Sequence, residues 1–128
     1  MTASSGRSPK NRSADRVTTV EELRRLVRRF VRDRRFARYH RPKNLAMSAA
    51  IEAAELMELF QWHDVSPAQL RRDARLRERA SEEIADTLAY LLSLCDAAGI
   101  DLAAAFTRKM RINERRYPVR GRVLPRRR

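Results

Sequence analysis

The chain is predicted to be all-α, an antiparallel four-helix bundle, and three observations carry the prediction. Only three glycines and five prolines occur in 128 residues, too little punctuation for the turns of a many-stranded β protein. Apolar residues recur at helical spacing through the body of the chain. The runs are bounded by residues that cap, open or stop helices.

Residues 1 to 17 are polar, basic and without periodicity and read as a flexible arm; residues 119 to 128 read as a basic tail. Between them, residues 18 to 118 form one predicted domain, enough for a single modest core. Thr18-Thr19-Val20-Glu21 fits a capping box with Thr18 at the cap, followed by Leu23, Leu26, Val27, Phe30 and Val31 at helical spacing. The first helix is expected over about 19 to 37. Pro42 then breaks the chain, and Asn44 can cap a second helix carrying Leu45, Ala49, Leu56 and Leu59 and ending near Trp62. Ser66-Pro67-Ala68-Gln69 is a further start signal. A long helix over about 75 to 98 puts Ile84, Leu88, Leu91, Leu92 and Cys95 on its apolar side and stops at Gly99. The last helix runs from Asp101 to about Arg116 and is closed by Tyr117-Pro118.

Composition excludes several classes of function. With glycine only at 6, 99 and 121, no glycine-rich phosphate loop can be built. One cysteine, Cys95, rules out an intramolecular disulfide and fits a reduced, cytoplasmic setting; inside LAYLLSLCDAAGI it reads as core. Two histidines and one cysteine are too few for a typical structural zinc site. No run of 18 apolar residues suggests a membrane span. The net charge is +13, with 26 of the 29 cations arginine. Such a surface attracts nucleic acid, an anionic membrane or phosphorylated small molecules, or is simply a solvated face.

Against this cationic background the carboxylates stand out. From Asn44 to Leu70, and again from Ala80 to Thr107, there is no Lys or Arg, yet these segments hold nine of the sixteen acids. On the second helix the line 45, 49, 52, 56, 59 reads Leu, Ala, Glu, Leu, Leu, so Glu52 lies on the apolar stripe, with Glu55 one turn on. On the long helix the line 80, 83, 87, 90, 94 reads Ala, Glu, Thr, Tyr, Leu, placing Glu83 inward with Asp86 beside it. A lone buried carboxylate costs several kcal/mol. Two acids one turn apart on each of two facing helices converge on a common point, which a divalent cation can neutralise. Four oxygen donors favour Mg²⁺, with Mn²⁺ as substitute, over softer metals. Solvated glutamates are the plainer reading of each pair alone, and Glu58 and Glu82 face less inward.

With these residues the sequence resembles the MazG-like, all-α nucleoside triphosphate pyrophosphohydrolases, and within them the dCTP pyrophosphatase-like branch. The resemblance spans roughly Val20 to Pro118 and rests on HRPKNL, IEAAELMELFQW, EEIADTLAYLLSL and KMRINERRYP. It includes an E-x-x-E pair followed after 27 residues by E-x-x-D. It implies that Glu52, Glu55, Glu83 and Asp86 bind Mg²⁺, and that a triphosphate is cleaved between its α and β phosphates to the monophosphate and pyrophosphate, as in nucleotide-pool sanitation. Glu52 or Glu55 is then the carboxylate that takes a proton from the attacking water. Phe36, Trp62 and Tyr90 resemble the family's base and sugar pocket. His40 and Asn44 are loop anchors or substrate contacts. Lys109, Asn113 and Arg116 share one side of the last helix and are candidates for holding phosphates; Tyr117 is a candidate contact that also closes that helix.

Two positions depart from the family pattern. Phe36 stands where the branch tends to carry tryptophan, and Val27 where a base-reading histidine is expected, which puts the preferred base in doubt. The resemblance also implies a homodimer or homotetramer. The competing reading is a basic helical module that binds nucleic acid through its arginine-rich segments and tails and catalyses nothing.

Overall fold

The computed structural model describes residues 13–120, and among them every regular element is helical. They are α1 (Ala14–Val17), α2 (Val20–Asp33), a 3₁₀ turn (Ala37–Tyr39), α3 (Pro42–Glu58), α4 (Pro67–Arg72), α5 (Ala74–Ala98) and α6 (Leu102–Arg116). The described end of the predicted N-terminal arm therefore carries one helical turn. Most of that arm, and residues 121–128 of the tail, lie outside the described residues. No single described helix is long and apolar enough to cross a membrane.

Local chemistry explains the boundaries. Thr19, not Thr18, caps α2: its Oγ1 accepts from the Glu22 amide at 3.1 Å, and Glu22 Oε2 accepts from the Thr19 amide at 3.3 Å. Both threonines have a glutamate three residues on, so the local pattern fits twice. The register chosen frees Glu21 to face Arg25 at 3.4 Å. Helix α3 begins at Pro42 and not near Asn44, because proline needs no amide partner in the first turn and Arg41 before it is extended. Asn44 instead donates its side-chain amide to the Tyr39 carbonyl at 3.1 Å, fastening the preceding turn. Ser66 and Gln69 form the expected reciprocal cap, and Asp73 and Asp101 cap α5 and α6.

Two helices end in the same way with different residues. At α5 the Ile100 amide reaches back to the Cys95 carbonyl at 2.9 Å around Gly99, whose φ is +65°. At α2 the Phe36 amide reaches back to the Val31 carbonyl at 2.9 Å around Arg35, whose φ is +54°. Glycine occupies this left-handed position without penalty, whereas a residue with a Cβ gives up about 1–2 kcal/mol there.

The core is a hairpin of α3 against α5, with α2 and α4 packed on α5. Leu45, Ala49, Ala80, Leu92 and Cys95 are its buried apolar residues. Helix α2 is held by an ion cluster at the end of α5. Asp96 Oδ1 accepts from Arg24 Nε and Nη2 at 3.0 and 2.8 Å, and Arg28 Nε donates to its Oδ2 at 2.8 Å. Arg24 Nη1 also donates to the Ile100 carbonyl at 2.7 Å. Asp96 thus finds its counter-charges on a helix 68 to 72 residues away.

The predicted four-helix bundle does not close within one chain. Helix α6 leaves α5 at 105° and packs extensively against no other described helix, leaving Phe106 and Met110 exposed. The long helix is also apolar on two sides: Leu92 and Cys95 are buried as expected, but Ile84, Leu88 and Leu91 are not. Leu26 and Phe30 on α2 and Met47 and Ile51 on α3 are likewise exposed.

The clamp on Asp96 has a pH signature. Hydrogen bonds from Arg28, and then from Arg24, hold its carboxyl below the ordinary value of 3.8 despite partial burial. Its stabilisation is therefore complete above that value and is lost as pH falls through the lowered one. Asp96→Asn is expected to cost about 1–2 kcal/mol at pH 7, with the gap to wild type narrowing in thermal melts as pH is brought below the ordinary aspartate range. A gap independent of pH would remove the clamp from the stability of the fold.

Candidate active site

The inward lines read from the sequence bring Glu52 and Glu83 face to face across the antiparallel α3 and α5. One carboxylate oxygen from each of Glu52, Glu55 and Glu83 lies within 4.8 Å of the others. Glu52 and Glu83 are half-buried and Glu55 is exposed at the rim. Asp86, one turn beyond Glu83, is more open and joins the group through its charge, which acts on both Glu52 and Glu83.

Partial burial together with crowding of the acids shifts the carboxyls upward. Burial first, then hydrogen bonding with Glu55 and Glu83, pushes the Glu52 carboxyl up to about 7. Burial, with Glu55 and Asp86, raises Glu83 as well, against a lowering hydrogen bond with Glu52. Glu83 Oε2 is buried and has no hydrogen-bond partner among the described residues. A buried acceptor without a donor is costly, and a hard divalent cation would satisfy it: the donor set is all oxygen, converging, and anionic. The residues present thus fit such an ion, with Glu52, Glu55 and Glu83 positioned to hold it and Asp86 within electrostatic reach.

Cavities extend from the acids in both directions along the hairpin. Toward the start of α3, a cavity of about 350 Å³ joins Glu52 and Asp86 to Phe36, Tyr90 and His40, with Val27, Phe30 and Val31 of α2 as its wall. An adjoining space of about 310 Å³ includes Asn44, Leu45 and Ser48. Toward the end of α3, a cleft of about 470 Å³ joins Glu55 and Glu83 to Glu58, Trp62 and Arg79. Trp62 is 81% exposed there. Phe36, His40, Asn44 and Tyr90 are therefore gathered on one flank of the acids and Trp62 on the other. Lys109, Asn113, Arg116 and Tyr117 line none of these three spaces, because α6 points away from its own hairpin.

Arg79 was not singled out in the sequence, although it precedes Glu83 by one helical turn. It ends the basic stretch just before the cation-free run begins at Ala80. Spacing i, i+4 to an inward glutamate was the available signal.

Fold and cleft together define a helical-hairpin protein with a carboxylate cluster flanked by an aromatic pocket, a donor set suited to a divalent cation. The chain belongs to the MazG-like family, whose model matches residues 47–122. It is similar to dCTP pyrophosphatase 1 of Homo sapiens, 41% identical over 101 residues, covering 78% of this chain and 59% of the human protein. It is 40% identical over 102 residues to the Bos taurus protein of the same name, covering 79% and 60%. The chain thus spans about three-fifths of the length of these curated relatives. Among solved structures, a pyrophosphatase from Archaeoglobus fulgidus superposes with a TM-score of 0.70 at 48% identity, covering 77% of this chain and 92% of that one.

With a raised carboxyl the sign of the pH effect is fixed. The folded, metal-free protein binds more protons than the unfolded chain between the ordinary glutamate value of 4.5 and about 7, so this group's contribution falls as pH rises through that window. In the presence of a chelator, Glu52→Gln is expected to melt higher than wild type at pH 8 and to lose that advantage near pH 5. A variant that melts lower than wild type at pH 8 would show that the acids do not repel one another.

Proposed function

We propose that the protein is a Mg²⁺-dependent nucleotide pyrophosphohydrolase that cleaves a deoxynucleoside triphosphate between its α and β phosphates. The carrying observation is the buried, partnerless Glu83 oxygen amid acids from two helices, in a chain similar to proteins named for dCTP hydrolysis. Sanitation of the cytoplasmic nucleotide pool is the matching role.

Bound Mg²⁺, or Mn²⁺ in its place, would neutralise the triphosphate and activate the α-phosphorus toward water. Glu52, Glu55, Glu83 and Asp86 hold the metal in this reading. Glu52, with a carboxyl near 7 in the metal-free cleft, or Glu55 at the rim, accepts the proton of the attacking water. Phe36 and Tyr90 flank the sugar and base, with His40 and Asn44 ordering the loop beside them. Arg79 faces the cleft on the opposite side, where a guanidinium can meet the charge that leaves with pyrophosphate.

Lys109, Asn113, Arg116 and Tyr117 then act from a second copy. Exposed apolar residues on α2, α3, α5 and α6 are what a homodimer or homotetramer would bury, and α6 of one chain would close the bundle of another.

The direct test is pyrophosphate release from a panel of triphosphates with and without Mg²⁺. Glu52→Gln is expected to lower kcat by about 10²–10⁴-fold, to abolish stabilisation by Mg²⁺ in thermal melts, and to keep wild-type helix content. Tight, salt-sensitive DNA binding without turnover of any nucleotide would favour the nucleic-acid module instead. For assembly, Phe106→Glu is expected to yield a smaller species in sedimentation together with loss of turnover; an unchanged sedimentation coefficient would separate α6 from the interface.

A further inference from the structure

Behind the aromatic pocket lies a second cavity, of about 480 Å³, between α2, the 3₁₀ turn and the end of α5. It shares Val27, Val31, His40 and Ser93 with the pocket that reaches the acids. These four side chains form the partition between the two, and Ala37 and Ala97 also line the second cavity. A nucleotide with its phosphates on the acid cluster and its sugar between Phe36 and Tyr90 would direct its base at this partition.

The far cavity is cationic at its rim. Arg28, Arg32 and Arg35 line it, with Asp96 as its acid. Asp96 is already engaged by Arg24 and Arg28, and Arg32 lies 3.3 Å from Asp33. Arg35 has no carboxylate partner among the described residues. It also occupies the left-handed stop of α2 at φ +54°, where glycine fits without strain. A guanidinium is thus carried into a cavity mouth from a backbone position that disfavours any side chain, and strain of this kind points to a task for the side chain.

We propose that the base pocket continues past Val27 and Ser93 into this cavity, and that Arg35 selects nucleotides whose base carries an acidic substituent. The inference rests on the pyrophosphohydrolase reading and names the substrate class of that site. An arginine reads a carboxylate through two parallel N–H donors and cannot lose its charge, so neutral substituents of the same shape gain far less.

The experiment compares kcat/KM for dCTP, its 5-carboxamide and its 5-carboxylate analogues. Wild type is expected to favour the carboxylate over the isosteric carboxamide by about ten- to a hundredfold, the range for a hydrogen-bonded charge. Arg35→Gly is expected to melt at or above the wild-type temperature, since it relieves the left-handed residue, while the carboxylate-to-carboxamide ratio collapses toward one. Arg35→Glu is expected to invert the ratio. Equal rates on carboxylate and carboxamide, or a ratio unmoved by Arg35→Gly, would overturn this inference and leave the pyrophosphohydrolase reading standing. Absence of turnover on all three, and of any thermal shift by their non-hydrolysable α,β-imido forms, would remove both.

Discussion

The constraint on which the rest depends is the partial burial of mutually repelling acids between α3 and α5. A hairpin of two amphipathic helices would ordinarily seal its seam with apolar side chains, yet this one carries half-buried glutamates in mid-seam. The apolar contacts are displaced to either end, with Leu45, Ala49, Leu92 and Cys95 on one side of the acids and Ala80 on the other. The core is correspondingly thin, and helix α2 is fastened to α5 both by half-buried Leu23, Val27 and Val31 and by the arginine clamp on Asp96. Strain at a functional centre offset by contacts elsewhere is a common arrangement, and here both sides of it are visible in single residues.

Much of this was legible in the sequence because helical periodicity converts residue number into direction. The lines through 45, 49, 52 and through 80, 83, 87, 90 put two glutamates inward, and both are half-buried in the structure. The missing cations along those segments added an independent signal. Family resemblance supplied the roles proposed for the aromatic residues, which periodicity alone does not distinguish from core.

What stayed illegible has physical causes. The α2 cap was misplaced by one residue because Thr18 and Thr19 each have a glutamate at the right distance, and only the partners of Glu21 break the tie. Asn44 is a good capping residue by type, but a proline two positions earlier had already begun the helix. Ile84, Leu88 and Leu91 read as core since periodicity reports that a face is apolar without saying which molecule covers it. The same ambiguity made α6 look like the fourth member of a bundle that the chain does not complete by itself.

The turn at Gly99 carries an implication for how the molecule lives in a cell. By sending α6 off at 105°, it leaves Phe106 and Met110 exposed; in the proposed oligomer, part of the free energy of the ordered state would be a function of how many molecules are present. Under that proposed assembly, copies would be fragile while scarce and durable once numerous, a dependence that begins at one glycine.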